Sequence, residues 1–111
     1  MNITSESHLA AVVFSISGEL ALDEVDQFKR TIKDMLSDAP SDVILDCTGL
    51  GLVDSAGLEA LLWLTDALNE QGNKLRFASV SQTIVRAFEL TRLDREFSIH
   101  DTVEAAARSF G

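Results

Sequence analysis

Val43-Ile44-Leu45-Asp46-Cys47-Thr48-Gly49-Leu50-Gly51-Leu52-Val53-Asp54-Ser55-Ala56-Gly57-Leu58 holds, in order, an apolar run, a glycine-bearing connection and a helix start. Val43 to Leu45 are β-branched and apolar, the pattern of a short buried strand. Gly49 and Gly51 behind them permit the tight backbone of a loop. Asp54 and Ser55 are both N-cap types, and Leu58, Leu61, Leu62, Leu64 and Leu68 follow at helical spacing, so a helix is expected to begin at one of the two. Such a start gathers backbone N–H groups without intrahelical partners and favours negative charge, so a phosphate on Ser55 would be stabilised locally without the fold having to open. The plainer reading of the same two residues is that they only cap the helix.

Strands and helices alternate outward from this segment. Asn2 to Glu6 are polar and suit an edge strand, whereas Leu9 to Ile16 read as a buried one, with Ser17-Gly18 turning the chain. A helix is expected from Asp23 to Ser37, with Val25, Phe28, Ile32, Met35 and Leu36 on one stripe and Asp26, Lys29, Arg30 and Asp34 facing away. Its acidic first turn complements the helix dipole, and Pro40 closes the element. Gly72 is placed to stop the Ser55 helix, Leu75 to Ala78 form a strand, and Ser81 caps a helix that turns Ile84, Val85 and Phe88 inward. Phe97 to Ile99 make a last strand. Asp101 with Glu104 reads as a reciprocal cap on a final helix whose apolar face is Val103, Ala106, Ala107 and Phe110. This alternation predicts an α/β fold with right-handed crossovers and a mostly parallel sheet.

The chain has 111 residues and 46% hydrophobic content, enough for one core, and a single domain spanning 1–111 is expected. Eighteen acidic against nine basic residues give a net charge of −9, which repels nucleic-acid backbones and anionic membrane surfaces. Direct nucleic-acid binding is therefore not expected, and a protein partner with a basic face fits better. Met1 to Ser7 lack a basic segment followed by an apolar core, and no apolar run is long enough to span a bilayer, so a cytoplasmic location without membrane insertion is predicted. The lone Cys47 has no disulfide partner and reads as a small buried hydrophobe.

Ser55 is not in a G-x-S-x-G elbow, and His8 and His100, the two histidines, each flank a strand with no tie to it, so no nucleophilic enzyme is expected. Two distant histidines and one cysteine do not make a metal site, and no Lys follows the glycines as in a P-loop, so neither metal nor cofactor is predicted. Ala60, Leu61, Leu64 and Leu68 are assigned to the core. Trp63 lies off that stripe, as a partly exposed aromatic that hints at an interaction face.

Gly51 to Leu58 resemble the phosphorylation-site signature of anti-sigma factor antagonists, the STAS domain family. Gly18-Glu19-Leu20 resemble that family's opening turn, and Ser81 through Leu93 its later Ser-to-Leu helix, so the similarity runs over nearly the whole chain. The resemblance implies a STAS-like superhelix of β-α units with the weak first strand at an edge. It also implies partner switching: unmodified, the chain binds an anti-sigma factor or related serine kinase, and phosphorylation of Ser55 releases it. A PP2C-type phosphatase would reverse the modification. The implied contact surface comprises Leu20, Ala21, Asp23, Gly49, Leu50, Gly51, Leu52, Val53, Asp54, Ala56 and Gly57.

Two positions depart from the family pattern. Ala21 stands where an acidic residue is common, with Asp23 two positions later, and Arg92 stands where a glycine often ends the third helix. The competing expectation is a STAS module acting constitutively in a lipid-transport or stress-signalling assembly, with Ser55 unmodified.

Overall fold

The computed structural model describes residues 1–8, 11–37 and 41–110. Its elements follow as β1 (Asn2–His8), β2 (Ala11–Leu20), α1 (Leu22–Leu36), β3 (Asp42–Val53), α2 (Ser55–Glu70), β4 (Leu75–Ala78), α3 (Gln82–Leu90), a 3-10 turn (Leu93–Arg95), β5 (Ser98–His100) and α4 (Val103–Arg108). Leu9 and Pro40, read above as a strand start and a helix stop, lie outside the described residues.

The strands form one sheet in the order β1-β2-β3-β4-β5, antiparallel only between β1 and β2. This is the expected α/β architecture with its polar edge strand first. Because the parallel strands follow one another in sequence, every crossover steps the same way, and right-handed crossovers then place α1, α2 and α3 on one face. Side-chain alternation matches that arrangement. Phe14, Ile16, Leu45 and Phe77 share a core with Phe28 and Ile32 of α1, Leu61, Leu64 and Leu68 of α2, and Ile84 and Phe88 of α3. Val13, Ile44 and Ala78 point the other way and pack on Ala106 and Ala107 of α4. Phe77, Phe88 and Phe97 close the far end of the main core, ring centroids 4.6 to 5.7 Å apart.

Several local expectations are corrected. Gly49 and Gly51 are not in a loop, because β3 continues through them to Val53. Ser17-Gly18 likewise do not turn the chain. β2 runs on to Leu20 and supplies the pairing partners, Ser17 opposite Gly49, Gly18 opposite Leu50, Glu19 opposite Leu52 and Leu20 opposite Val53. The register slips by one residue between Ser15 and Ser17 and again between Gly18 and Glu19, so the glycines of β3 accompany β-bulges in a paired ladder. Gly18 itself has φ +96°, a left-handed conformation that a side chain would strain.

α1 starts at Leu22, with Ala21 in the cap position, so Asp23 lies inside the first turn. Met35 is exposed, not on the buried stripe, which consists of Phe28 and Ile32. The last strand begins one residue later than expected, leaving Phe97 as a buried plug ahead of it. The cap of α4 is Thr102, whose hydroxyl accepts from Ala105 N–H at 3.0 Å, and not Asp101. Ser81 caps α3 as read, and Arg92 takes φ +62° directly after it, doing with a side chain what a glycine does more cheaply at a helix stop.

Candidate functional site at two helix starts

Leu20 and Val53 are opposite one another at the ends of β2 and β3, so the two helices that follow begin side by side. Asp54 joins them. Its carboxylate accepts the Gly57 N–H at 2.8 Å through Oδ1, capping α2, and the Leu22 N–H at 3.0 Å through Oδ2. The second bond supplies α1 with the acceptor that Ala21, having no polar side chain, cannot. Asp54 N–H donates to the Leu20 carbonyl at 3.3 Å, and its own carbonyl accepts from Leu58 N–H at 2.9 Å. The Gly57 N–H, then the Leu22 N–H, hold the carboxyl below its ordinary range, since both favour the ionised form.

Gly57 is buried because α2 touches the end of β2 there. A Cβ at this position would sit well inside contact distance of the Leu20 carbonyl oxygen and 2.8 Å from Val53 Cγ1. Only hydrogen fits, and the requirement comes from inside the fold.

Ser55, the first residue of α2, is exposed, and so are Gly49, Gly51, Leu52 and Asp23. Ala21, Val53, Asp54 and Ala56 are half-buried. Leu20 and Leu50, expected among the contacts, have side chains in the core at 0% and 3% exposure, so they support this surface from beneath and offer no side chain to a partner. Gly57 does the same. Leu22, in the same turn but absent from the expected contact set, is 70% exposed, and with Leu52 at 46% it puts two large apolar side chains in solvent at this end of the sheet. It lies one residue ahead of the expected helix start at Asp23 and is the first residue of α1. The only sequence signal is its place between Ala21 and Asp23, both in the expected contact set.

Neither histidine lies on the elements that meet at Ser55: His8 ends β1, paired to Ala11. His100 is on β5, paired to Ala78 at the other side of the sheet, with a ring nitrogen 2.9 Å from Ser98 Oγ. Among the described residues no cluster of His, Cys, Asp and Glu is arranged to hold a metal ion, and no helix is long and apolar enough to cross a membrane. Cys47 is buried, and that burial, reinforced by the charge of Asp46, pushes its thiol up to about 12.

Known proteins share this framework. The family model of the STAS domain matches residues 2–106. An anti-sigma-B factor antagonist of Staphylococcus aureus is 25% identical over 104 residues, covering 94% of this chain and 96% of that protein. Among solved structures, an anti-sigma-factor antagonist (STAS) domain protein of Planctomyces limnophilus superposes with a TM-score of 0.84 at 23% identity, covering 98% of this chain and 97% of the other. The cell fate determinant SpoIIAA of Bacillus, in its phosphorylated form, gives 0.67 at 21% identity, covering 97% and 99%.

Proposed function

The chain belongs to the STAS domain family, and from that premise we propose that it is a one-domain cytoplasmic anti-sigma factor antagonist, switched by phosphorylation of Ser55. The observation that carries the reading is an exposed serine at the start of α2, on a sheet end that also exposes Leu22 and Leu52, beside a helix pair locked by one carboxylate. Apolar side chains around a polar centre are what a partner buries when it docks. The names of the Staphylococcus aureus relative and of the Planctomyces structure support the pathway class, and a phosphorylated form of a structural neighbour supports the modification.

Unmodified, this end of the sheet binds an anti-sigma factor or a related serine kinase. Phosphorylation adds about 1.5 to 2 negative charges near neutral pH. Asp54 already holds the Gly57 N–H, so the new charge arrives beside a carboxylate of like sign and gains little from the helix start. Its effect falls on the interface, where burying a dianion on the surface that carries Leu22 and Leu52 is costly. The partner leaves and the domain stays folded. A PP2C-type phosphatase restores the binding form. The protein acts by association, without turnover of its own.

The test is cross-linking capture from the native cell, with mass spectrometry of the partners and of Ser55. A serine kinase on the unmodified form, with phosphate at Ser55 in the unbound pool, is the expected result. Transport-complex subunits bound to a chain never modified at Ser55 would replace the switch with a constitutive module.

A further inference from the structure

The other end of the α1–α2 pair carries a second feature, independent of the Ser55 surface. A cleft of about 250 Å³ opens there between the two helices. Buried Ile32, Leu64 and Leu68 form its floor, half-buried Leu36 and Ala67 its walls, and Trp63 and Lys33 one side. Lys33 lines the cleft, and Lys29, one turn earlier and outside the lining, reaches the same indole: Lys29 Nζ is 5.3 Å and Lys33 Nζ 5.5 Å from the Trp63 ring centre, within cation–π range. Among the described residues, the interaction seen for each lysine is this contact with the indole, not an ion pair with a carboxylate. Three of its nine basic residues, Lys29, Arg30 and Lys33, lie on this stretch of α1.

An apolar cleft with positive charge at its edge is complementary to an apolar anion. We propose that the cleft binds a medium-chain acyl carboxylate, its hydrocarbon on Ile32, Leu64 and Leu68 and its carboxylate at Lys29 and Lys33. Size favours a single short chain, because the volume falls just below the ~300 Å³ at which pockets for drug-sized ligands begin. Charge favours a small anion over an acidic protein: the net charge of −9 repels an extended acidic surface, whereas a monoanion seated in the cleft feels mainly the two nearby ammoniums. The carboxylate displaces the lysines from the indole face, so occupancy alters the surroundings of Trp63.

Trp63 is the sole tryptophan and there is no tyrosine, so its fluorescence reports on the cleft alone. The full chain is titrated with sodium decanoate below its micelle concentration, with calorimetry in parallel, and with decanol as the uncharged control. Saturable binding is expected, at least ~10-fold tighter for decanoate than for decanol, a factor equal to one step of about 1.4 kcal/mol. The surface double variant Lys29→Met/Lys33→Met should fold normally and lose that preference. Absence of saturable binding by both methods, equal affinity for decanol, or undiminished decanoate binding by the double variant would overturn the proposal. So would self-association abolished by Trp63→Ala in the absence of any acyl ligand, which would assign the cleft to a second copy of the chain.

Discussion

Gly57→Ala sets two effects of known sign against each other. In a helix interior, alanine is better than glycine by about 1 kcal/mol, so propensity alone predicts a more stable protein. The fold predicts the opposite. The added methyl would overlap the Leu20 carbonyl oxygen and lie 2.8 Å from Val53 Cγ1 and 3.1 Å from the Leu20 carbonyl carbon. Two of these three atoms are backbone, and the Leu20 carbonyl is also the acceptor for Asp54 N–H, so relief requires α2 to lift from the sheet end. Overpacking of this kind costs about 1–3 kcal/mol, and a backbone obstacle puts it near ~3. Net of propensity, about 2 kcal/mol is lost, and at about 4–5 °C per kcal/mol for a chain of this length the midpoint falls by about 8–10 °C. The assay is thermal melting followed by circular dichroism, with exposed Lys74→Ala as a control expected within about 0.5 kcal/mol of the parent. A Gly57→Ala protein as stable as the parent, or more so, would refute the close approach.

Asp54→Ala should flatten the acid limb of the stability curve. The Asp54 carboxyl is depressed when folded, so its contribution is fully present above the unfolded value of about 3.9 and is lost as pH falls through the lower folded value. Urea melts of parent and variant should therefore differ most above pH 4 and converge below it; a constant gap down to the folded value would exclude the linkage. Asp23→Asn should slow phosphorylation by the cognate kinase while costing no more than the ~0.3–1 kcal/mol of a first-turn charge on the helix dipole, since Asp23 lies inside the first turn and is not the cap; a change in stability alone would reduce it to a helix-dipole residue. Cys47, buried and with its thiol pushed up to about 12, should react with a thiol reagent at pH 8 only on unfolding. Reaction at the rate of a free thiol in native buffer would contradict its packing.

What the sequence revealed and what it hid divide along the range of the interactions. Ser81 was readable as a cap, and Asp54 as one of two cap candidates, because each bonds a backbone N–H three residues ahead. The order of strands and helices was readable from apolar periodicity for the same local reason. The extension of β3 through Gly49 and Gly51 was not, since glycines signal a loop locally and only the matching extension of β2 pairs them. The Asp54–Leu22 bond spans 32 residues in sequence, and nothing near Ala21 announces that its missing cap is supplied from another element. Of the contact surface that the family resemblance implies, Leu52 is exposed, as is Ser55 beside it, whereas alternation along their strands turns the side chains of Leu20 and Leu50 inward. Leu22 shows the converse failure. The helix was expected from Asp23, which left Leu22 unread, and its exposure follows from its place as the first residue of α1.

We propose that modification of Ser55 alone releases the partner from an intact domain. The direct measurement is the Kd of the captured kinase for the unmodified protein, the Ser55-phosphorylated protein and Ser55→Ala, with circular dichroism and melting recorded on the same samples. The account predicts at least ~100-fold weaker binding on phosphorylation, about 2.7 kcal/mol, with an unchanged spectrum, and tight binding by Ser55→Ala both before and after kinase treatment. Phosphate found mainly on another residue, or an unchanged Kd for protein fully phosphorylated at Ser55, would contradict it.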